Sequence, residues 1–535
     1  MIRIVVELCL VSAVLTPFVG AAISISGGSD RLKRCRTAAG LGWVSVLLAV
    51  ITATAVALRG PFGVTLGGTY DRPVVGLWAD QLTVTLLVLV CGMGALVQSF
   101  STRYLQADRT SSGFFAVANV VVGTIAIVCT SVTAPVLVSA WVVAGLSFVA
   151  VIGVRPDLPG VRTSVRSTLA MFALGDLALV AALIMVTIRA GNVDLVSGGA
   201  LQAAERQLGG LSNLVALLVV IAALTRSAQG PLGRWLPGTV SAPTPASALL
   251  HAGVVNGGGI LLVRFGVVAG GSTLAMLVAF TVAGLTAVVA TAVMTTKADV
   301  KGALVFSTMG QMGFMVAECA VGAYLAAVIH LVGHSMYKAT LFFGSGSQVP
   351  RTGQAPTTPT IKMSTLKRTI ATIATSSVTL GAMLAFPGVL AHRGGVVLLV
   401  FTAATTAVAV WSWSDRQPVS ARLAAWWTAS MFGAGFLYGL ILGGLGRWIT
   451  PALPAVGAGS LSPWWLLAPA VFGLVVAGLI RIQSVRSWLV AVLVYLGTPR
   501  VVLSKRGDRS GEKDAWSGLN GLAPKVAGSW VGNPA

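Results

Sequence analysis

Three nitrogen-bearing side chains recur at steps of four in the apolar stretch AVIHLVGHSMYKATLFFGSGS (327–347): His330, His334 and Lys338. Steps of four place them along one face of a helix, and from the first to the last the chain rises about 12 Å, over a third of a ~30 Å hydrocarbon core. Imidazoles titrate near neutral pH and an amine both holds and releases a proton, so this column is a candidate proton relay. A fourth such group, His251, lies in APTPASALLHAGVVNGGGILLVRF (242–265). Ionisable groups at mid-membrane cost roughly 2.5–3.5 kcal/mol each, and they therefore line hydrated paths or pair with one another. A lone histidine reads more simply as a hydrogen bond between helices; three aligned groups favour the relay. No zinc site is expected, because no glutamate or third ligand accompanies the HxxxH.

The stretch that carries His251 is a poor uninterrupted helix. Pro243 and Pro245 lack backbone donors, and Gly257, Gly258 and Gly259 allow the chain to bend, so a helix break near mid-membrane is expected. Freed backbone groups are tolerated there only against protein or water, which suits a hydrated ion path. The same glycines would equally serve a close helix–helix contact. The residues alone leave both readings open.

The elements that hold these groups are membrane helices. Hydrophobic residues make up 56% of the 535-residue chain and charged residues only 10%. Apolar runs long enough to span a bilayer recur about fifteen times. They lie near 4–22, 38–58, 79–99, 114–133, 135–153, 168–188, 210–230, 245–264, 273–295, 302–321, 323–345, 369–390, 394–413, 423–445 and 464–481. The expected fold is all-α, a polytopic membrane protein with broken helices. Four regions follow: N-terminal helices and first loops (1–74), a core (75–350), C-terminal helices (351–498) and a flexible cytoplasmic tail (499–535).

The net charge of +21 does not point to nucleic acid, because the basic residues are divided between alternate loops. If RLKRCR (31–36) is cytoplasmic, the loops on its side hold about 27 of the 36 Lys and Arg, against about 8 opposite. That asymmetry predicts a multi-pass protein of the cell membrane with an external N-terminus and a cytoplasmic C-terminus, attracted to anionic lipid headgroups. The first apolar run exceeds a signal core and is expected to remain as a span. Cys9, Cys35, Cys91, Cys129 and Cys319 are scattered singly, without metal or redox spacing. No phosphate-binding Gly-rich motif supplies a nucleotide motor, which leaves an ion gradient or a partner as the energy source.

Several motifs resemble a known family. APTPASALLHAG, TTKADVKGALVFSTMGQMGFM (295–315) and HLVGHSMYKATLFFGSGS are similar to the antiporter-like subunits of respiratory complex I (subunit L or 5) and of multisubunit cation/proton antiporters. The likeness covers about 75–350 and includes ADQLT (79–83), FSTRYL (100–105) and ALGDLAL (173–179). It implies that Asp176, His251, His330, His334 and Lys338 lie on a proton path and that Asp299 and Lys301 match the loop before a broken helix. For a loop pair the plainer reading is a surface ion pair worth under about 1 kcal/mol. The chain also departs from the family. Trp141 is followed by Val142 where complex I subunits carry glutamate, and Arg226 in TRSAQGPLGRWLP (225–237) replaces their lysine. Arginine stays charged, so Arg226 is expected to be a fixed charge or coupling element and not a shuttle.

Within that superfamily, RYLQADRTSSGFF (103–115), the glutamate-free AWVVAGLS (140–147) and HAGVVNGGGILLVRF (251–265) resemble the DabB family, the membrane subunits of two-component inorganic carbon transporters. The resemblance implies an ion-translocating subunit, for protons or sodium, with a peripheral cytoplasmic DabA-like zinc partner that hydrates carbon dioxide to bicarbonate. No catalytic residue, metal or cofactor is then expected in this chain. Two rivals stand beside it: a subunit of a quinone-reducing or sodium/proton antiporter complex, and a non-conducting anchor.

Overall fold

Apolar runs of about twenty residues fold as helices because every backbone N–H and C=O in hydrocarbon needs a partner within the chain, and a helix of that length spans the ~30 Å core. The computed structural model describes residues 2–27, 30–68, 73–191, 195, 198–345, 365–385, 393, 395–414, 421–479 and 482–497. The tail expected over 499–535 lies outside them, and residues 1–498 form one compact unit.

The first unit opens with α1 (Ile2–Ile25) and α2 (Arg31–Arg59), a hairpin of β1 (Phe62–Gly68) and β2 (Pro73–Ala79), then α3 (Gln81–Tyr104), α4 (Ser111–Thr130), α5 (Ala134–Ile152) and α6 (Val161–Ala190). The middle of the chain is more interrupted: α7 (Gly198–Leu208), α8 (Ser212–Arg226), α9 (Trp235–Gly238), α10 (Thr244–Ala252), α11 (Gly257–Arg264) and α12 (Gly266–Gly270). Long helices return in α13 (Thr273–Met294), α14 (Val300–Ala320) and α15 (Tyr324–Gly344). The C-terminal third adds α16 (Thr365–Leu384), α17 (Gly395–Ser414), α18 (Ala421–Ile449), α19 (Leu467–Leu479) and α20 (Gln483–Gly497).

Among the described residues, eleven helical segments are long and apolar enough to cross a membrane. They correspond to eleven of the fifteen expected spans; the other four coincide with α15, α16, α17 and α19. The chain is thus a multi-pass membrane protein, predominantly helical.

The hairpin is the departure from an all-helical reading. Phe62 pairs with Ala79 and Val64 with Leu77, so these four side chains share one face and join a buried cluster with Leu10 and Val14 of α1 and Val84 and Leu87 of α3. Asp80 then starts α3 through a reciprocal capping box, with Thr83 N–H donating to Asp80 Oδ1 and Asp80 N–H to Thr83 Oγ1, both at 2.8 Å.

Small residues let the helices that carry polar groups approach closely. A Cβ on Gly175 of α6 would sit 2.0 Å from Thr225 Oγ1 of α8, so only glycine permits this contact. The loops gather at two ends. At one, Arg155 Nη1 and Nη2 donate to Asp108 Oδ2 (2.8 Å) and Asp157 Oδ2 (2.9 Å), tying the α3–α4 connection to the α5–α6 connection. At the other, Arg264 donates to the carbonyls of Cys129 and Ser131, and β2 bridges to Ser131 through Leu77. A segment from the C-terminal third closes this second end: Gly459 N–H donates to Gly270 O (2.8 Å) and Leu461 N–H to Ala320 O (3.1 Å).

Candidate functional site

Helices α14 and α15 run antiparallel about a tight turn in which Gly322 takes a φ of +72°. Antiparallel packing makes partner numbers fall on one helix as they rise on the other, and the polar contacts obey that rule. His330 Nδ1 lies 3.0 Å from Glu318 Oε2, His334 Nδ1 2.8 Å from Gln311 Oε1, and Lys338 Nζ donates to Ser307 Oγ at 2.8 Å. Ser307, Gln311 and Glu318 are spaced by four and seven, one face of α14, just as His330, His334 and Lys338 occupy one face of α15. The result is a ladder of three polar rungs. Lys338 is fully buried and His334 nearly so.

His251 joins the ladder at its Lys338 end. Helix α10 packs on α15, and the His251 ring stacks on Phe342, one turn beyond Lys338, at 4.6 Å between centroids and 12° between planes. The residue is fully buried, and neither ring nitrogen finds a hydrogen-bond partner among the protein groups. A neutral imidazole carries one donor and one acceptor, so burying this ring without protein partners is costly.

The span that bears His251 is interrupted between α10 and α11. Pro243 and Pro245 stand at the start of α10, where missing donors are harmless. The break itself falls at Gly253 and a 3-10 turn over Val254–Asn256, after which Gly257, Gly258 and Gly259 open α11. The freed Val255 carbonyl accepts from Ser227 Oγ (3.0 Å), and Asn256 Nδ2 donates to Ser335 Oγ on α15 (2.7 Å). The glycines also serve packing: a Cβ on Gly257 would meet Arg226 Cγ at 3.1 Å, one on Gly258 the Ala223 carbonyl at 2.3 Å, and one on Gly259 the Met315 side chain at 2.6 Å. The glycines thus lie at an interruption of the span and also permit close packing.

Asp176 and Arg226 form a second polar site. Arg226 Nη2 donates to Asp176 Oδ1 at 2.7 Å, and Trp141 Nε1 donates to the same oxygen at 2.8 Å. The guanidinium lies 4.4 Å from the Trp141 ring centre and 4.3 Å from that of Phe172. A Cβ on Gly145 would reach within 2.8 Å of it. Planar stacking of this kind suits arginine and not lysine. Val142, half-buried on α5, takes no part, so the counter-charge of Arg226 comes from α6.

Asp299 and Lys301 do separate work, and among the described residues no ion pair joins them. Asp299 caps α14 by accepting from Gly302 N–H, and Lys301 Nζ donates to Ala242 O (3.2 Å), holding the approach to α10.

Glu318, Gln311 and Ser307 were not legible as partners from the sequence taken span by span. The signal was their shared stripe on 302–321, which becomes meaningful only opposite the column on α15. Glu318 also corrects the expectation that no glutamate accompanies the HxxxH. It pairs with His330, and among the described residues no three His, Cys, Asp or Glu gather as a metal site. Outside the spans, Asp108 is held below the usual carboxylate range by the backbone N–H of Thr110 and by Arg155, and Asp157 likewise by Arg155.

Family comparison agrees with this architecture. Residues 111–414 match the membrane-domain model of the NADH:quinone oxidoreductase/Mrp antiporter family, and 72–115 match the N-terminal model of complex I chain 5. The chain is 35% identical over 277 residues to the probable inorganic carbon transporter subunit DabB1 of Halothiobacillus neapolitanus, covering 51% of this chain and 50% of that one. It is 35% identical over 283 residues to the probable DabB of Bacillus anthracis (52% and 55%), and 30% identical over 278 residues to NADH-quinone oxidoreductase subunit L of Mycobacterium tuberculosis (51% and 43%). The chain thus spans about half the length of the curated relatives it matches. In fold it is similar to a chain of the Mrp complex from Dietzia sp. DQ12-45-1b, with a TM-score of 0.59 at 23% identity over 98% of this chain and 64% of that one. With more than half its length under one family model, the chain belongs to the NADH:quinone oxidoreductase/Mrp antiporter membrane family.

Proposed function

We propose that this chain is the ion-translocating membrane subunit of an inorganic carbon transporter, passing protons or sodium ions inward to a peripheral, DabA-like cytoplasmic partner. The zinc chemistry that hydrates carbon dioxide to bicarbonate is assigned to that partner, and the inflow makes hydration one-way. The observation that carries this reading is the position of the α10–α11 break, which touches both polar sites: Gly257 abuts Arg226, while Asn256 bonds Ser335 in the middle of the column helix. A single polar run thereby joins Asp176, Arg226, the break, Lys338 with His251, His334, His330 and Glu318.

In this run the residues divide the work. Groups on successive turns of α15 are about 5–6 Å apart, a gap that one ordered water bridges. Imidazole, carboxylate and amine each take up and give back a proton, so an ion arriving at Glu318 and His330 is passed along the rungs to Lys338 and His251. With the N-terminus outside, the α14–α15 turn is external and the Lys338 end lies toward the cytoplasm. Arg226, locked on Asp176, gives the inner end a fixed charge.

The test is co-expression with a DabA-like partner in a carbonic-anhydrase-deficient host grown in air. The pair should rescue growth, and the double variant His334→Ala/Lys338→Ala should lose that rescue while still reaching the membrane. Rescue that survives the double variant removes the column from the mechanism and leaves the chain an anchor. Co-purification with quinone-reducing or antiporter subunits in place of a zinc protein assigns it to the other branch of the family.

A further inference from the structure

A second built feature lies away from the polar run. Helices α2 and α3 leave a cleft of about 790 Å³ between them, lined among others by Arg36, Gly40 and Trp43 from α2 and by Phe100, Arg103 and Tyr104 from α3. This volume is in the range of ligand sites, roughly 300–1,000 Å³. The two arginines stand at one end of the cleft, Arg103 in the last turn of α3 and Arg36 in the second turn of α2, and neither makes an ion pair among the described residues. Arg31 and Lys33 add positive charge at the same end; Arg31 reaches across to the Gln106 carbonyl. Trp43 is fixed by an indole N–H to Ser99 Oγ hydrogen bond of 3.0 Å. Beyond it, Val44, Leu47, Val50 and Ile51 continue along α2 as an exposed apolar face. Gly40 borders open space in the cleft, where a Cβ would meet nothing within 4 Å.

Cations at one end, amphipathic aromatics in the middle and an apolar wall leading away form the complement of a phospholipid, in that order. A soluble anion would need only the first part. We propose that this cleft binds one anionic phospholipid, its phosphate on Arg36 and Arg103, its glycerol region against Trp43 and Tyr104, and its chains along the outer face of α2. The site is distinct from the diffuse attraction that any basic loop has for an anionic bilayer. It also bears on the polar run. Phe100 stacks on Phe343 of α15 at 4.6 Å, and the adjacent Phe342 is the residue on which His251 lies.

The experiment is native mass spectrometry of the full-length chain, purified in detergent, stripped of lipid and titrated with phosphatidylglycerol or phosphatidylcholine. One phosphatidylglycerol should be retained at concentrations where phosphatidylcholine is not. Arg36→Gln with Arg103→Gln should weaken retention about tenfold or more. Gly40→Leu, which fills the cleft and keeps both arginines, should weaken it as well, whereas Lys33→Gln, in the same cluster but outside the cleft, should not. Equal retention of the two lipids, undiminished binding to Gly40→Leu, or a loss in Lys33→Gln as large as in the arginine pair would each overturn the site. Displacement of the lipid by millimolar inorganic phosphate would make a free anion the ligand and overturn the lipid assignment.

Discussion

The two polar sites on either side of the α10–α11 break are built on opposite principles. At Asp176 and Arg226 a full positive charge meets a full negative charge, the oxygen also accepts from Trp141, and two aromatic rings sandwich the guanidinium. Such a pair is committed, because arginine does not give up its proton and separating the partners would strand a charge in the interior. The α14–α15 ladder places one titratable group opposite a neutral serine, another opposite a neutral amide and a third opposite a carboxylate. None of its rungs requires a permanent charge. The two sites, a stacked ion pair and a row of pairings between titratable and mostly neutral groups, are thus separated by a single broken helix.

Removing one partner should affect the two sites in different currencies. Arg226→Ala leaves Asp176 buried without its counter-ion and should cost about 3–5 kcal/mol of stability, whereas pairing Arg226→Met with Asp176→Leu should recover most of that loss. Thermal unfolding of the purified variants in detergent measures both. If Arg226→Ala unfolds no earlier than the parent, the contrast between the sites fails. Glu318→Gln, by comparison, keeps a hydrogen-bonding group opposite His330, and should leave the unfolding temperature nearly unchanged while lowering ion flux several-fold in proteoliposomes containing the partner. A melting loss as large as that of Arg226→Ala would make the ladder a structural element too.

The smallest effect concerns the loops. Because Asp108 titrates below its ordinary range when folded, its bonds to Thr110 and Arg155 stabilise the fold at any pH above the unfolded carboxylate value. That contribution disappears as pH falls through the lowered folded value, and hydrogen exchange in 105–110 and 153–160 should rise below about pH 4. Asp108→Asn should show the raised exchange already at neutral pH, with a weaker acid step. An unchanged pH profile in that variant would mean that the clamp on these loops does not depend on Asp108.

What the sequence made legible divides along the same line. The ladder's α15 side declared itself through spacing, since steps of four are a property of one helix. Its α14 side did not: Ser307 and Gln311 are uncharged, and Glu318, two residues from the end of its helix, reads alone as an interface residue. Asp176 was recognisable only through a family motif, and its bond to Arg226 depends on the close approach of α6 and α8 at Gly175, a tertiary fact. The break in 242–265 was expected from its prolines and glycines, yet the prolines begin α10 and the interruption falls at Gly253. Proline at a helix start costs nothing, so its presence signals a boundary more reliably than a kink. The β1–β2 hairpin escaped notice because its glycines dilute the alternation that marks a strand.

The tether at Gly459 and Leu461 bears on how the molecule comes to be made. The backbone carbonyls of Gly270 and Ala320 that it satisfies emerge from the ribosome long before the segment that completes them. During synthesis, the middle helices must therefore wait in the bilayer with this end uncovered until the last third of the chain has been inserted and folded back over it.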